Sequence, residues 1–115
     1  MADGLLNPAR VRIERPRARR YPLVASIELV NVQSEIRLQE RVTDLSLFGC
    51  GVTANKRLPV GTKLRIRITH KGSTFSALSK VAYATSNGDV GIVFTNTESK
   101  DQLILEKWIG ELRDR

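Results

Sequence analysis

Short segments in which apolar and polar residues alternate dominate the middle of this 115-residue chain. A period of two is typical of strands that bury one face, as where Leu64, Ile66 and Ile68 alternate with basic residues. Alternating stretches and shorter apolar runs give six candidate strands, at 26–29, 36–43, 51–53, 63–68, 75–83 and 90–94. Turn-forming residues separate them at 31–35, 59–61, 70–73 and 87–89. The pattern predicts a mainly β fold, a six-stranded antiparallel β-barrel.

The last part of the chain has a helical period instead. Leu105, Trp108, Ile109 and Leu112 fall on one face of a helix, which we expect to span about 99–113. Ser99, followed three residues later by Gln102, matches a capping box. The sequence therefore predicts a C-terminal α-helix that packs its apolar face, including the tryptophan, over an open end or a side of the barrel.

Composition narrows the class of protein. The chain has the size of one domain, and its single cysteine and single histidine exclude a disulfide framework and a Cys/His metal cluster. The sequence shows no nucleophile paired with a base, so it does not suggest an enzyme. No apolar run approaches the roughly 20 residues that cross a bilayer, so we expect a cytoplasmic protein without a membrane span. The formal net charge is +7, and six arginines lie within the first 20 residues, which indicates an anionic partner.

Two motifs carry the candidate chemistry. The first is the arginine-rich segment 15–20, whose guanidinium groups suit phosphate oxygens and the acceptor edge of guanine. The second is Asp44-x-Ser46-x-x-Gly49, which offers a carboxylate and a hydroxyl for donor groups. Each motif has a simpler interpretation: a solvated basic arm, or a turn in which the serine caps backbone amides and the glycine has a positive φ.

In combination, the two motifs resemble the signature of the PilZ domain, a bacterial receptor module for cyclic di-GMP. Twenty-four residues separate Arg19 from Asp44, and Gly51 follows on the strand to which the motif leads. The Arg-Tyr-Pro-Leu step at 20–23, the Leu-Pro-Val-Gly-Thr turn at 58–62 and the Val-Gly-Ile-Val-Phe segment at 90–94 extend the resemblance.

The resemblance implies an organisation of the chain. Residues 1–14 would form a flexible N-terminal segment, and residues 15–115 the PilZ domain. Within that domain, a flexible arginine arm would span 15–20, the barrel about 23–95 and the helix about 99–113.

The resemblance also implies a ligand site for cyclic di-GMP, with no other cofactor and no metal. Two arginines would clamp the phosphates and a guanine acceptor edge. They are Arg15 and Arg19 in one register; in the other, Arg20 is the second arginine and Arg15 or Arg17 the first. Asp44 and Ser46 would meet guanine, whereas Gly49 would be permissive and Gly51 an additional contact.

The implied function is ligand-dependent ordering of the arm, which signals to a downstream protein in motility, biofilm, exopolysaccharide or pilus control. One alternative is a small basic barrel that binds single-stranded nucleic acid, although only 5% of the residues are aromatic, few for base stacking. Another is a PilZ-type adaptor that works without ligand. We expect a monomer or a weak homodimer.

Three other features have expected structural roles. Cys50 is predicted to be a small buried residue, and His70 a solvated turn residue. Lys63, Arg65 and Arg67 form a basic strand face that is either the wet side of the sheet or a wider footprint for an anion.

Overall fold

The structure, a computed structural model, describes residues 18–115 and contains six strands followed by one helix. The elements are β1 (Tyr21–Asn31), β2 (Arg37–Leu45), β3 (Gly49–Thr53), β4 (Lys63–His70), β5 (Ser73–Ala84), β6 (Asp89–Asn96) and α1 (Ser99–Arg113). The predicted strands, their connecting turns and the terminal helix are confirmed. Of the predicted arginine arm, only Arg19 and Arg20 can be located, because Arg15 and Arg17 lie outside the described residues.

The six strands close into an antiparallel barrel in the order β1-β2-β3-β6-β5-β4. Alternation along each strand sends one set of side chains into the barrel, where Ile27, Val42, Ile68 and Phe75 are fully buried. The other set faces outward and contains most of the charged residues. The packed apolar interior thus determines the shape of the outer surface on which the polar side chains lie.

Two irregularities in the strand pairing redirect side chains that the simple alternation would place elsewhere. In β2 the register shifts between Val42 and Asp44, so Asp44 faces outward although Val42 and Leu45 on either side are buried. In β5 a similar shift follows Val81 and leaves Tyr83 on the outer surface, 46% exposed. Simple alternation from Phe75 and Val81 would instead place Tyr83 on the apolar inner face. A bulge adds a residue to one strand and changes which face its neighbours occupy.

Helix α1 packs its buried face, formed by Leu105, Trp108, Ile109 and Leu112, on the barrel beside β5 and the start of β1. The predicted capping box is wrong. The N-cap is Glu98, with no side-chain capping bond, and Gln102 bonds forward to Glu106. The first turn is anchored instead by buried Asp101, which accepts a hydrogen bond from the backbone N–H of Ser76 at 2.9 Å.

The tryptophan of α1 also changes the expected role of His70. The His70 ring lies edge-on to Trp108 with 5.3 Å between the centroids, and the residue is partly buried at the end of β4. Desolvation against this neighbour, together with the nearby charge of Lys71, lowers the pKa of His70. His70 is therefore a packing residue, and the prediction of a solvated turn residue is wrong.

Within residues 18–115, α1 is too short and too polar to cross a lipid bilayer.

Candidate ligand-binding surface

Arg20 and Asp44 form an ion pair where the chain enters β1. Arg20 lies just before β1, and the pairing of β1 with β2 sets Pro22 opposite Asp44. The Arg20 Nε atom donates to Asp44 Oδ1 at 2.9 Å, and the side chains are 48% and 31% exposed. The hydrogen bond to Asp44 raises the pKa of Arg20, and the neighbouring Tyr83 phenol raises it further. A guanidinium, a carboxylate and an aromatic ring thus share one small area of surface.

Gly51 provides the floor beneath the Asp44 carboxylate. It is paired with Asp44 across the β2–β3 ladder. A Cβ atom added at Gly51 would lie only 2.5 Å from Asp44 Oδ2, and Thr43 Oγ1 donates to that same oxygen at 3.4 Å. The carboxylate therefore lies close to the backbone of β3. A larger residue at position 51 would exclude it from this position by steric overlap.

Gly91 plays the corresponding part on the next strand. It is the partner of Gly51 across the β3–β6 ladder and of Tyr83 across the β5–β6 ladder. The Tyr83 ring lies directly over it, so that a Cβ atom at Gly91 would overlap the ring. Asp44, Gly51, Gly91 and Tyr83 thus form a single cross-strand row on the outside of the barrel, hereafter the glycine row.

The glycine row has dimensions and groups that suit a flat ligand. Its four positions lie on four adjacent strands, so it extends about 14 Å at the usual strand spacing of about 4.8 Å. A carboxylate stands at one end, an aromatic ring at the other, and two residues without side chains lie between them. Such a surface offers an acceptor for N–H groups and a stacking face.

Ser46 and Gly49 lie in the turn that joins β2 to β3. The Ser46 hydroxyl is buried and accepts hydrogen bonds from the backbone N–H groups of Phe48 and Gly49, each at 3.2 Å. The backbone N–H of Ser46 donates to the Gly49 carbonyl at 2.9 Å. Gly49 has no positive φ; a Cβ atom there would overlap the Ile92 carbonyl oxygen of β6. The serine and the glycine therefore shape the turn that follows Asp44.

The structure brings together only some of the predicted site residues. Arg20, Asp44 and Gly51 meet on one surface, and the turn of Ser46 and Gly49 adjoins it. Arg19 is exposed and forms no ion pair with another residue of 18–115. Arg15 and Arg17 lie outside the described residues.

Sequence reasoning missed Tyr83 and Gly91. Glycine within a strand is a known sign of close approach by another group, and Gly91 carried that sign. The glycine alone does not indicate which side chain lies over it. It also does not indicate that a bulge turns Tyr83 outward.

The groups near this surface differ in how far they can reach a ligand. Asp44 is paired with a guanidinium, and the Cys50 thiol lies on the inner side of β3, where burial raises its pKa to about 12. Within residues 18–115, no cluster of three histidine, cysteine, aspartate or glutamate residues could hold a metal ion. The arrangement can bind a ligand that presents N–H donors, an acceptor edge and a negative charge.

Comparison with known proteins agrees with this fold. The family model described as the PilZ domain matches residues 14–111. No protein of curated function matches the sequence.

Solved structures share the architecture at low sequence identity. The PilZ domain of CeSA, from a cellulose-synthesizing bacterium, is 21% identical with a TM-score of 0.67, covering 83% of this chain and 98% of that one. The PilZ domain of Escherichia coli YcgR with c-di-GMP is 17% identical with a TM-score of 0.68, covering 88% and 93%. A longer E. coli YcgR structure with c-di-GMP is 18% identical with a TM-score of 0.72, covering 89% of this chain and 47% of that one.

Proposed function

Because the chain belongs to the PilZ domain family, we propose that it is a receptor for cyclic di-GMP, the ligand present in the two YcgR structures. The observation that carries the proposal is the glycine row, with Asp44 and Tyr83 at its ends and Arg20 beside it. It provides an acceptor, an aromatic ring face and a cation on one surface of the barrel.

Asp44 is the residue that we assign to guanine recognition. A carboxylate can accept the N1 and N2 protons of guanine as charge-assisted hydrogen bonds, whereas the corresponding edge of adenine has a different donor pattern. Tyr83 supplies a stacking face, since aromatic rings bind bases through their π surfaces. Gly51 and Gly91 leave room for the Asp44 carboxylate and the Tyr83 ring to lie close to the barrel.

The arginine segment is assigned to the phosphates and to the acceptor edge of guanine. Of its residues, Arg20 already lies beside Asp44, which supports the register that uses it as the second arginine of the motif. Arg15 and Arg19, with Arg17 as an additional contact, are proposed to close over the phosphates, for which planar guanidinium groups are well suited. Ser46 and Gly49 would keep the β2–β3 turn in the shape that presents Asp44 to the base.

Binding is proposed to act as a switch. If the arginine segment is fixed across the barrel only when ligand is bound, the protein presents a different surface in its two states. The ligand shifts the population between them by its preference for the closed state. A downstream protein that recognises one of the surfaces would receive the signal, in motility, biofilm, exopolysaccharide or pilus control.

Calorimetry tests the proposal. Titration of the full chain with cyclic di-GMP should give saturable heat, and the stoichiometry should report one ligand or a stacked pair per chain. The same titration with linear GMP at equal concentration is the control, since it has the base without the second nucleotide. An absence of saturable binding at ligand concentrations of about 0.1 mM, a Kd of micromolar order being typical of a specific site, would overturn the proposal.

A further inference from the structure

Strands β4 and β5 carry a second charged surface, which is distinct from the glycine row. Its members are Lys63, Arg65 and Arg67 of β4 and Lys80 of β5, hereafter the basic strip. The intervening residues Leu64 and Ile66 point into the barrel and are buried, so the four cations stand together on the outside. No acidic residue of β4 or β5 interrupts them.

Two lysines of the basic strip face each other directly. In the β4–β5 ladder, Lys63 is the cross-strand partner of Lys80, and both are exposed. Like charges at directly opposed positions destabilise a sheet. Within residues 18–115 neither lysine forms an ion pair, and neither does Arg67. Arg65 is paired with Glu35 at 3.0 Å, and Arg67 lies opposite Glu28 in the β1–β4 ladder. The unrelieved repulsion is therefore that between Lys63 and Lys80.

A groove of about 520 Å³ adjoins the basic strip and gives it an apolar centre. Leu78, the cross-strand partner of Arg65, lies in this groove and is 45% exposed, while Val30 of β1 forms part of its floor. Arg37 lines the far wall, where it is paired with Glu28 at 3.0 Å. Glu28, Glu98 and Asp101 also line the groove, so its excess positive charge lies on the side of the basic strip. An exposed aliphatic side chain beside Arg65 suits a partner that combines negative charge with an aliphatic group.

The spacing of the cations favours a peptide. Alternate residues of β4 place their side chains about 7 Å apart, and alternate residues of any extended segment have the same separation. The barrel is closed, so a partner cannot add a strand at an edge and must lie across the face through side-chain contacts. Among residues 18–115, none of those that line the groove is aromatic, which disfavours a base-stacking nucleic acid as the occupant.

We propose that the basic strip and its groove are a docking surface for an acidic, extended segment of a partner protein. Carboxylates at alternate positions of that segment would contact Lys63, Arg65 and Arg67, with Lys80 beside them, and an aliphatic side chain would pack on Leu78. The surface is formed without any contribution from the glycine row, so the proposal stands independently of cyclic di-GMP binding.

A titration monitored by NMR, in the absence of cyclic di-GMP, tests the proposal. The probe is the synthetic peptide Glu-Ala-Glu-Leu-Glu-Ala-Glu, added to the isotope-labelled full chain at about 0.15 M salt, where distant surface charges are largely screened. Saturable shifts of the Arg65, Leu78 and Lys80 amides are expected, and a peptide with glutamine in place of glutamate should not produce them. Shifts confined to the glycine row, or tighter binding of an eight-residue oligothymidylate at the strip, would overturn the proposal.

Charge reversal at one lysine separates binding from folding. Lys63→Glu should lower the affinity for the peptide by about tenfold or more. The same substitution should raise the midpoint of thermal unfolding, because it converts a repulsive pair with Lys80 into an attractive one. Lys107→Glu makes the same change of net charge at an exposed position of α1 and should alter peptide affinity by less than about twofold. Equal losses of affinity in the two variants would show a response to net charge alone and overturn the assignment.

Discussion

The guanidinium of Arg20 lies 2.9 Å from the carboxylate of Asp44, the residue that we assign to guanine recognition. The strand pairing of Pro22 with Asp44 holds the two residues in this position. A bound guanine must displace Arg20 from Asp44 Oδ1 or share the carboxylate with it. Exposed ion pairs contribute only about 0–1 kcal/mol, so their exchange for ligand contacts is inexpensive. An arginine released in this way is already beside the ligand, where it can contact a phosphate or the guanine acceptor edge.

The first prediction concerns the register of the arginine motif. Arg20→Ala should weaken cyclic di-GMP binding by about 1–3 kcal/mol, the size of a lost bidentate contact, and more than Arg19→Ala does. The reason is that Arg20 alone of the two contacts Asp44. Calorimetry on both variants measures the difference, with Arg67→Ala as a matched control that removes an exposed arginine from β4, a strand outside the glycine row. A larger loss at Arg19 would favour the other register, and negligible losses at both would reject the clamp.

The second prediction concerns base specificity. Asp44→Ala should reduce affinity for cyclic di-GMP more than affinity for cyclic di-AMP, since only guanine presents the N1 and N2 protons to the carboxylate. A difference of about 1–3 kcal/mol between the two losses is expected for one good bidentate contact. Competition of both dinucleotides against a fluorescent cyclic di-GMP analogue measures it. Equal losses would indicate that Asp44 shapes the surface without reading the base.

The third prediction compares two glycines whose neighbours differ in rigidity. A methyl group at Gly91 meets the ring of Tyr83, which can turn away because it is a partly exposed side chain. Gly91→Ala should therefore weaken cyclic di-GMP binding through the displaced ring while leaving stability nearly unchanged.

Gly49→Ala is the contrasting variant. Its methyl group meets the Ile92 carbonyl in the backbone of β6, which cannot move without disturbing the ladder. A loss of roughly 1–3 kcal/mol in the free energy of unfolding is expected, as for overpacking of a core. Urea unfolding and calorimetry on both variants give the comparison. The opposite pattern, an unstable Gly91→Ala and a fully stable Gly49→Ala, would contradict these roles.

Much of this architecture could be predicted from the sequence because it depends on local patterns. Alternation in segments such as Leu64 to Ile68 indicates both a strand and its buried face, and the spacing of Leu105, Trp108 and Leu112 indicates the packed face of the helix. Asp44 was identified through its motif. That this carboxylate points outward depends on the bulge after Val42, which the pairing of β2 with β3 determines.

The residues that sequence reasoning missed depend on contacts between distant strands. Tyr83 continues an apolar alternation, yet a shift against β6 turns it outward over Gly91. The pairing of Gly91 with Gly51 likewise exists only once the barrel is closed. The sequence around His70 predicts only a turn, because Trp108, against which His70 packs, lies in a helix 38 positions later in the chain.

The last prediction concerns the alkaline stability of the barrel. Burial raises the pKa of the Cys50 thiol to about 12, above its ordinary value of 9.0. Cys50 is thus neutral in the folded protein over a range in which the unfolded chain carries a thiolate. A group whose folded-state pKa is raised contributes stability that is complete below the unfolded pKa and is lost as pH rises through the folded value. The free energy of unfolding should therefore fall between about pH 9 and about pH 12.

Cys50→Ala should flatten this alkaline decline, although the smaller side chain lowers stability at neutral pH. Urea unfolding of both proteins at about pH 7 and about pH 10 measures the difference in slope, which linkage ties to the proton on the thiol. A thiol reagent provides an independent check: at neutral pH the folded protein should react far more slowly than the urea-unfolded chain, because both ionisation and access are suppressed. Rapid modification of the folded protein, or identical alkaline slopes in the two variants, would contradict a buried and protonated Cys50.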